Sequence, residues 1–310
     1  MSDIGQLCFI CQSEAAADFW TKYGKCPTVA GQDIEVLVRP KIYRCLSCGF
    51  RFTYPSPRPE LLNAAYAAAG TQVWPDDPLN AICRDYPNRI RRICQYALTP
   101  SVLDIGCYTG EFLSHFPRDW TKAGIEQSGS AASVAQDRDV RIIGNDFFET
   151  PIEPGAYSVI TAMNVIEHMP DPGVFIRRAA DSLGDGGILV IETGDVRSRY
   201  ARLMGEYWGY YHLPEHVSFF SREVLVKLMQ RSGLEIIENR SNLFFKKPWG
   251  VRSRLWHLRE LVYAIVSAIS WKIYKRLIVQ EERPSTVRYA LYRDHMLVIG
   301  RKNGSDDHKT

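Results

Sequence analysis

The chain has 310 residues, 45% of them hydrophobic and 24% charged, with a formal net charge of +3 and a mean hydropathy of −0.21. These values exclude a disordered, collagen-like or polytopic membrane chain and suit one large or two modest globular domains. A charge so near balance gives no compositional case for nucleic-acid binding.

Residues 1–59 open without a charged-then-apolar leader. They carry Cys8-Phe9-Ile10-Cys11 and Cys45-Leu46-Ser47-Cys48, with 33 residues between the pairs. In an intracellular chain such pairs read as metal ligands before they read as disulfides, and four thiolates make a closed tetrahedral zinc site. The remaining cysteines, Cys26, Cys83, Cys94 and Cys107, are scattered. We expect a small domain with structural zinc, in a cytoplasmic protein. Gly49 allows a tight knuckle after the second pair, whereas Gln12 stands at that place after the first. Redox dithiols fit less well, since no thioredoxin-like unit adjoins them.

The proline-rich run at 54–59 is extended, because each proline disfavours helix at the residue before it. It marks a boundary, and residues 60–98 read as a helical linker. From residue 101 strands and helices alternate. Strand-like runs fall at 102–105, 122–125, 140–143, 157–163, 187–192, 234–237 and 295–299, with helices at 172–183 and 221–232. Ser221 suits a helix cap, and Gly233 suits the stop that follows. This alternation predicts a doubly wound, mostly parallel α/β sheet over 99–243 and 291–303, with its ligand beyond the carboxyl ends of the strands. Residues 194–220 form a loop too long for a bare connection. Residues 244–290 are an insert before the last strand, and 304–310 form a disordered tail.

The first strand runs into Asp104-Ile105-Gly106-Cys107-Tyr108-Thr109-Gly110. A strand, then glycines, then a helix suits a nucleotide-type ligand, because glycine lets the backbone approach closely. Read from Gly106, the dinucleotide pattern fails at Tyr108 and Glu111. Asp104 suits a ligand with a cationic portion, and Glu126 at the end of the second strand can accept ribose hydroxyls. Asp146 and Phe147 follow the third strand, where an acid and an aromatic ring can hold an adenine. Asn164 follows the fourth.

These stretches, with AMNVIEHMPDP, LGDGGILVIET and PEHVSFFS, resemble a class I S-adenosylmethionine (SAM) dependent methyltransferase over about residues 98–240 and the last strand. The resemblance implies a Rossmann-like class I methyltransferase sheet. It places Asp104, Gly106, Cys107 and Gly110 at the methionine end, Glu126 at the ribose, Asp146 and Phe147 at the adenine, and Asn164 on the pocket floor. Tyr108 stands where the family usually has glycine, so its side chain would crowd or cover the cofactor. An amino-terminal, zinc-ribbon-like domain resembles the branch that includes deoxysugar C-methyltransferases.

Methyl transfer to a hydroxyl, or to a carbon beside a carbonyl, needs a base that titrates near neutrality, and histidine is the default. His216 with Glu215 in the long loop is the first candidate, and His168 beyond the fourth strand is the second. The branch resemblance also implies acid/base work for Glu215 and His216. Proline at 214 makes the turn that lets the two cooperate.

Between residues 246 and 276, eight basic side chains face the single acid Glu260, a local charge of +7 that leaves −4 for the rest of the chain. Trp249, Trp256 and Trp271 lie among them, and apolar residues recur at helical spacing. Such a helix either packs on the sheet, covers an anionic acceptor, or lies at the inner membrane face as a peripheral contact.

The sequence thus predicts a SAM-dependent methyltransferase with structural Zn2+. Its acceptor is a small-molecule, glycan or lipid-linked sugar, methylated on oxygen or carbon. The alternative is a zinc-ribbon binding module on a degenerate methyltransferase fold.

Overall fold

A computed structural model describes residues 6–23, 26–72, 85–242 and 294–304. The insert at 244–290, most of the tail and the linker segment 73–84 lie outside the described residues.

A seven-stranded sheet carries the larger part of the fold. Its strands are β7 (Ser101–Ile105), β8 (Thr121–Ile125), β9 (Arg141–Gly144), β10 (Tyr157–Met163), β11 (Leu183–Gly194), β13 (Leu234–Asn242) and β14 (His295–Lys302). Across the sheet the order is β13-β14-β11-β10-β7-β8-β9. The five strands from β11 to β9 are parallel, and β14 runs antiparallel to both neighbours. The chain winds outward from β7 through β8 to β9, then restarts at β10 on the other side. The order therefore reverses between β7 and β10, the place where such sheets leave a ligand crevice.

Both faces of this sheet are covered, which is why its strands read as apolar runs. Alternation along each strand sorts residues onto two cores. Leu103, Ile160, Leu189 and Ile191 join the core under α5 (Pro172–Ser182) and α7 (Arg222–Arg231). Val102, Val159, Ile188 and Val190 face the core under α2 (Tyr86–Tyr96) and α3 (Glu111–Ser114). Asp171 caps α5 by accepting from the Val174 N–H at 2.9 Å, with Pro172 at the first helical position. Ser221 caps α7, and Gly233 follows it in the left-handed region at φ +79°.

The amino-terminal part forms a second sheet from β1 (Gln6–Leu7), β2 (Glu14–Trp20), β5 (Lys41–Cys45) and β6 (Arg51–Tyr54), with the hairpin β3 (Thr28–Val29) and β4 (Gln32–Asp33) beside it. Its fifth strand is β12 (Ser218–Phe219), supplied by the long loop and paired antiparallel with β6. Helix α1 (Pro59–Ala67) leads out of this sheet towards the larger one. Among the described residues, no helix is long and apolar enough to cross a membrane.

Candidate active site and cysteine centre

The two knuckles share one shape. The Gln12 N–H donates to the Cys8 carbonyl at 2.9 Å, and the Gly49 N–H donates to the Cys45 carbonyl at 3.2 Å. Both residues are left-handed, at φ +58° for Gln12 and +76° for Gly49. Antiparallel pairing of β2 with β5 brings the knuckles together. The four sulfurs of Cys8, Cys11, Cys45 and Cys48 lie within 4.8 Å of one another, with Cys8–Cys48 at 3.7 Å and Cys11–Cys45 at 3.5 Å. Four thiolates at ordinary Zn–S lengths stand about 3.8 Å apart in a tetrahedron, so the spacing fits that ion.

At the crevice, Asp104 ends β7 and its Oδ1 accepts from Thr161 Oγ1 at 2.6 Å. Burial pushes its carboxyl up to about 7, and the neighbouring Glu126 adds to the rise, while the Thr161 bond opposes it. Gly106 lies at φ +73°, and a Cβ there would come within 2.9 Å of Val165 Cγ2. Glycine is required on both counts. Gly110, also left-handed, opens α3. Cys107 turns its sulfur towards Gly124 and joins the core beneath the sheet.

Glu126 follows β8 and accepts the Tyr108 and Ser128 N–H groups, each at 2.8 Å. Asp146 follows β9, and its Oδ1 accepts from the Phe148 and Glu149 N–H groups. Phe147 is buried against Phe175, with the Arg178 guanidinium over its ring, so the ring belongs to the core rather than to the rim. Asn164 follows β10 at φ +57°, and its N–H donates to the Glu192 carbonyl at 2.8 Å. Its Oδ1 is buried with no hydrogen-bond partner among the described residues. Glu192 is itself held by Arg89 of α2 at 2.8 Å, a pair buried on both sides.

His168 ends a short turn after β10. Its Nδ1 lies 3.0 Å from the Glu215 carbonyl and 3.2 Å from Tyr66 Oη. A carbonyl only accepts, so a hydrogen bond to it needs the proton on Nδ1, and in that tautomer Nε2 carries the lone pair. His216 is arranged alike, with Nδ1 at 3.1 Å from the Tyr210 carbonyl. The His168 and His216 rings meet edge to face at 4.9 Å. His216 is only 6% exposed, and burial holds it well below the usual histidine range. The half-buried His168 is the ring nearer solvent.

Glu215 and His216 occupy a turn closed by His216 N–H to the Leu213 carbonyl. Burial pushes the Glu215 carboxyl up, and its Oε2 has no hydrogen-bond partner among the described residues. It is the Glu215 carbonyl, not its carboxylate, that meets His168. His212 is a tie between loop and sheet, receiving the Lys22 N–H and donating to the Glu206 carbonyl, and burial lowers it to about 4.

Two further residues escaped the sequence reading. Glu167 is fully buried and accepts from Tyr210 Oη at 2.7 Å and Thr193 Oγ1 at 2.8 Å. Tyr66 reaches His168 from α1. The signal for Glu167 was its place beside His168 at a strand end. Nothing local marked Tyr66. Glu167, His168 and His216 each offer one ligand atom within 4.8 Å of the others.

The methyltransferase domain family matches residues 76–239. A ubiquinone biosynthesis O-methyltransferase of Bradyrhizobium diazoefficiens is 31% identical over 121 residues, which cover 37% of this chain and 47% of that protein. The chain thus spans about half the length of that relative. An enzyme of the same name from Xanthomonas euvesicatoria pv. vesicatoria is 26% identical over 227 residues, covering 64% of this chain and 89% of its own. A solved SAM-dependent methyltransferase of Thermotoga maritima overlaps 71% of this chain and 90% of its own, at 17% identity and a TM-score of 0.46.

Proposed function

The chain belongs to the class I SAM-dependent methyltransferases, and on that premise we propose that it moves a methyl group from SAM to an acceptor hydroxyl, with His168 as the base. The observation that carries the proposal is the pairing of Nδ1 with the Glu215 carbonyl beside the crevice. That bond fixes the tautomer and leaves Nε2 free to take a proton. His216, buried beneath it, holds the His168 ring in place, and the Glu215 turn presents the carbonyl. This reverses the order expected from sequence, because the burial of His216 keeps it from an acceptor.

The residues fit SAM. Asn164 Oδ1 is buried without a partner among the described residues, and Asp104 is a buried carboxyl pushed up by desolvation. A cationic amino-acid group relieves both. Asp104, Gly106, Gly110 and Asn164 would hold the methionine end. Glu126 retains lone-pair capacity for ribose hydroxyls beyond the backbone N–H bonds it accepts, and Asp146 would meet the adenine. When bound, SAM supplies an electrophilic methyl on a sulfonium. The chain orients the acceptor and removes its proton, and positioning supplies much of the rate of such an in-line displacement.

Oxygen is proposed as the methylated atom because the relatives are named as O-methyltransferases. A small hydroxylated molecule or a glycan or lipid-linked sugar is the proposed acceptor class. Zinc on Cys8, Cys11, Cys45 and Cys48 is proposed as structural, since four thiolates leave no open position. The segment 246–276 is proposed to touch an anionic membrane surface. Cosedimentation with anionic liposomes at low salt supports that contact, and its absence contradicts it.

The test of function is label transfer from methyl-labelled SAM to a panel of phenols, quinols and sugar nucleotides, read by mass spectrometry. Methyl on oxygen is expected, with His168→Gln lowering kcat at least about 100-fold while the SAM Kd holds. Methyl on carbon, or an unchanged kcat in the variant, contradicts the proposal. Absence of SAM binding favours the binding-module alternative.

A further inference from the structure

Residues 59–72 cross the carboxyl ends of three strands. Asn63 Oδ1 accepts from Gln127 Nε2 at 3.3 Å, beyond β8. Tyr66 meets His168, beyond β10. The Ala69 carbonyl accepts from both Ser128 Oγ at 2.6 Å and Ser130 Oγ at 3.0 Å. Beyond β7, Tyr108 Oη donates to the Thr71 carbonyl at 2.9 Å, with the Gly70 carbonyl at 3.5 Å.

Tyr108 is unusual on two counts. It occupies a glycine position of the crevice motif, and its backbone keeps the left-handed conformation, φ +48°, that glycine would adopt freely. A tyrosine there is held against its ordinary backbone preference. Its N–H holds Glu126 while its side chain holds the 70–71 turn. One residue therefore joins the ribose-side carboxylate to the segment lying across the crevice.

We propose that Tyr108 is a positioning residue that clips residues 69–72 over the bound cofactor, so that the cofactor leaves only after the Tyr108–Thr71 bond breaks. The same segment carries Tyr66 onto His168 Nδ1. Closure over the cofactor therefore also aligns the acceptor-side histidine. The chemical class of the ligand is a nucleoside bearing a ribose and a cationic amino-acid arm. The inference rests on the SAM reading given above.

The experiment is stopped-flow measurement of SAM release from the full chain and from Tyr108→Phe, with hydrogen exchange over residues 63–72 followed with and without SAM. The variant removes only the hydroxyl. Its release rate is expected to rise about fivefold, as for loss of one hydrogen bond with a partner left unpaired. SAM is expected to slow exchange across 63–72 in the wild type and to slow it less in the variant. Equal release rates, or wild-type exchange that SAM leaves unchanged, overturn the proposal. The wild-type exchange decides the matter even where the variant fails to fold. No SAM binding by the wild type contradicts the cofactor reading itself, which is a separate outcome.

Discussion

Asp104 changes its acid–base chemistry on folding. Its carboxyl is buried and rises to about 7 from the ordinary 3.8. A carboxyl with a raised folded value binds its proton more tightly folded than unfolded. Its favourable contribution is whole below about pH 4 and is lost as pH rises through 7. Asp104→Asn removes the ionisation and keeps a hydrogen-bonding group for Thr161. It is expected to stabilise the cofactor-free protein by about 2–4 kcal/mol at pH 8 and by little at pH 4. Thermal unfolding at the two pH values checks this, and equal shifts at both contradict it. Gln12 makes a smaller prediction. It is exposed and left-handed at φ +58°, in the knuckle position where its counterpart is Gly49. Gln12→Gly is expected to add roughly 0.5–1 kcal/mol, the relief of left-handed strain less the extra entropy of glycine. Denaturant midpoints at constant slope measure it.

Among the elements, the central strands were the most legible. Strand β10 matches the predicted 157–163, and β7, β8 and β9 lie within a residue of expectation. Strands buried on both faces announce themselves as apolar runs. Helix α7 was marked by Ser221 with Gly233. Strand β11 begins at Leu183, four residues early, because Leu183 pairs with Tyr157 through a stretch whose glycines masked the pattern. Strand β12 was invisible. Its two residues join a sheet built more than 160 positions earlier, and only tertiary pairing with Phe52 and Arg51 defines them. The site divides in the same way. Asp104, Glu126, Asn164 and His168 were readable from strand ends. The turn of Phe147 into the core, the depth of His216 and the reach of Tyr66 depend on contacts between distant segments, which carry no local signal.

At the scale of the molecule, the cysteine sheet and the 194–220 loop are joined through paired strands. Cys45 lies on β5, which pairs with β6, and β6 in turn pairs with β12. Thr53 on β6 donates its hydroxyl to the His216 carbonyl at 3.1 Å and its N–H to the Val217 carbonyl at 3.0 Å. On the proposed reading, a metal on the cysteines supports the turn that meets His168. Chelation of the proposed zinc is expected to speed hydrogen exchange across residues 213–220 and to lower kcat. The cofactor residues hang on the other sheet, one of whose cores continues into the cysteine sheet through Phe50 and Phe220, while the other lies on its far face alone. Exchange in 213–220 that is indifferent to chelation contradicts this coupling.

The account rests most heavily on SAM binding at the carboxyl edge between β7 and β10. Calorimetric titration of SAM into the wild type and Asp104→Asn tests it most directly. Saturable binding to one site is expected, weakened about 10- to 100-fold by the substitution, as for loss of a charge-assisted contact. No saturable heat with the wild type, or equal affinity in the variant, would contradict it.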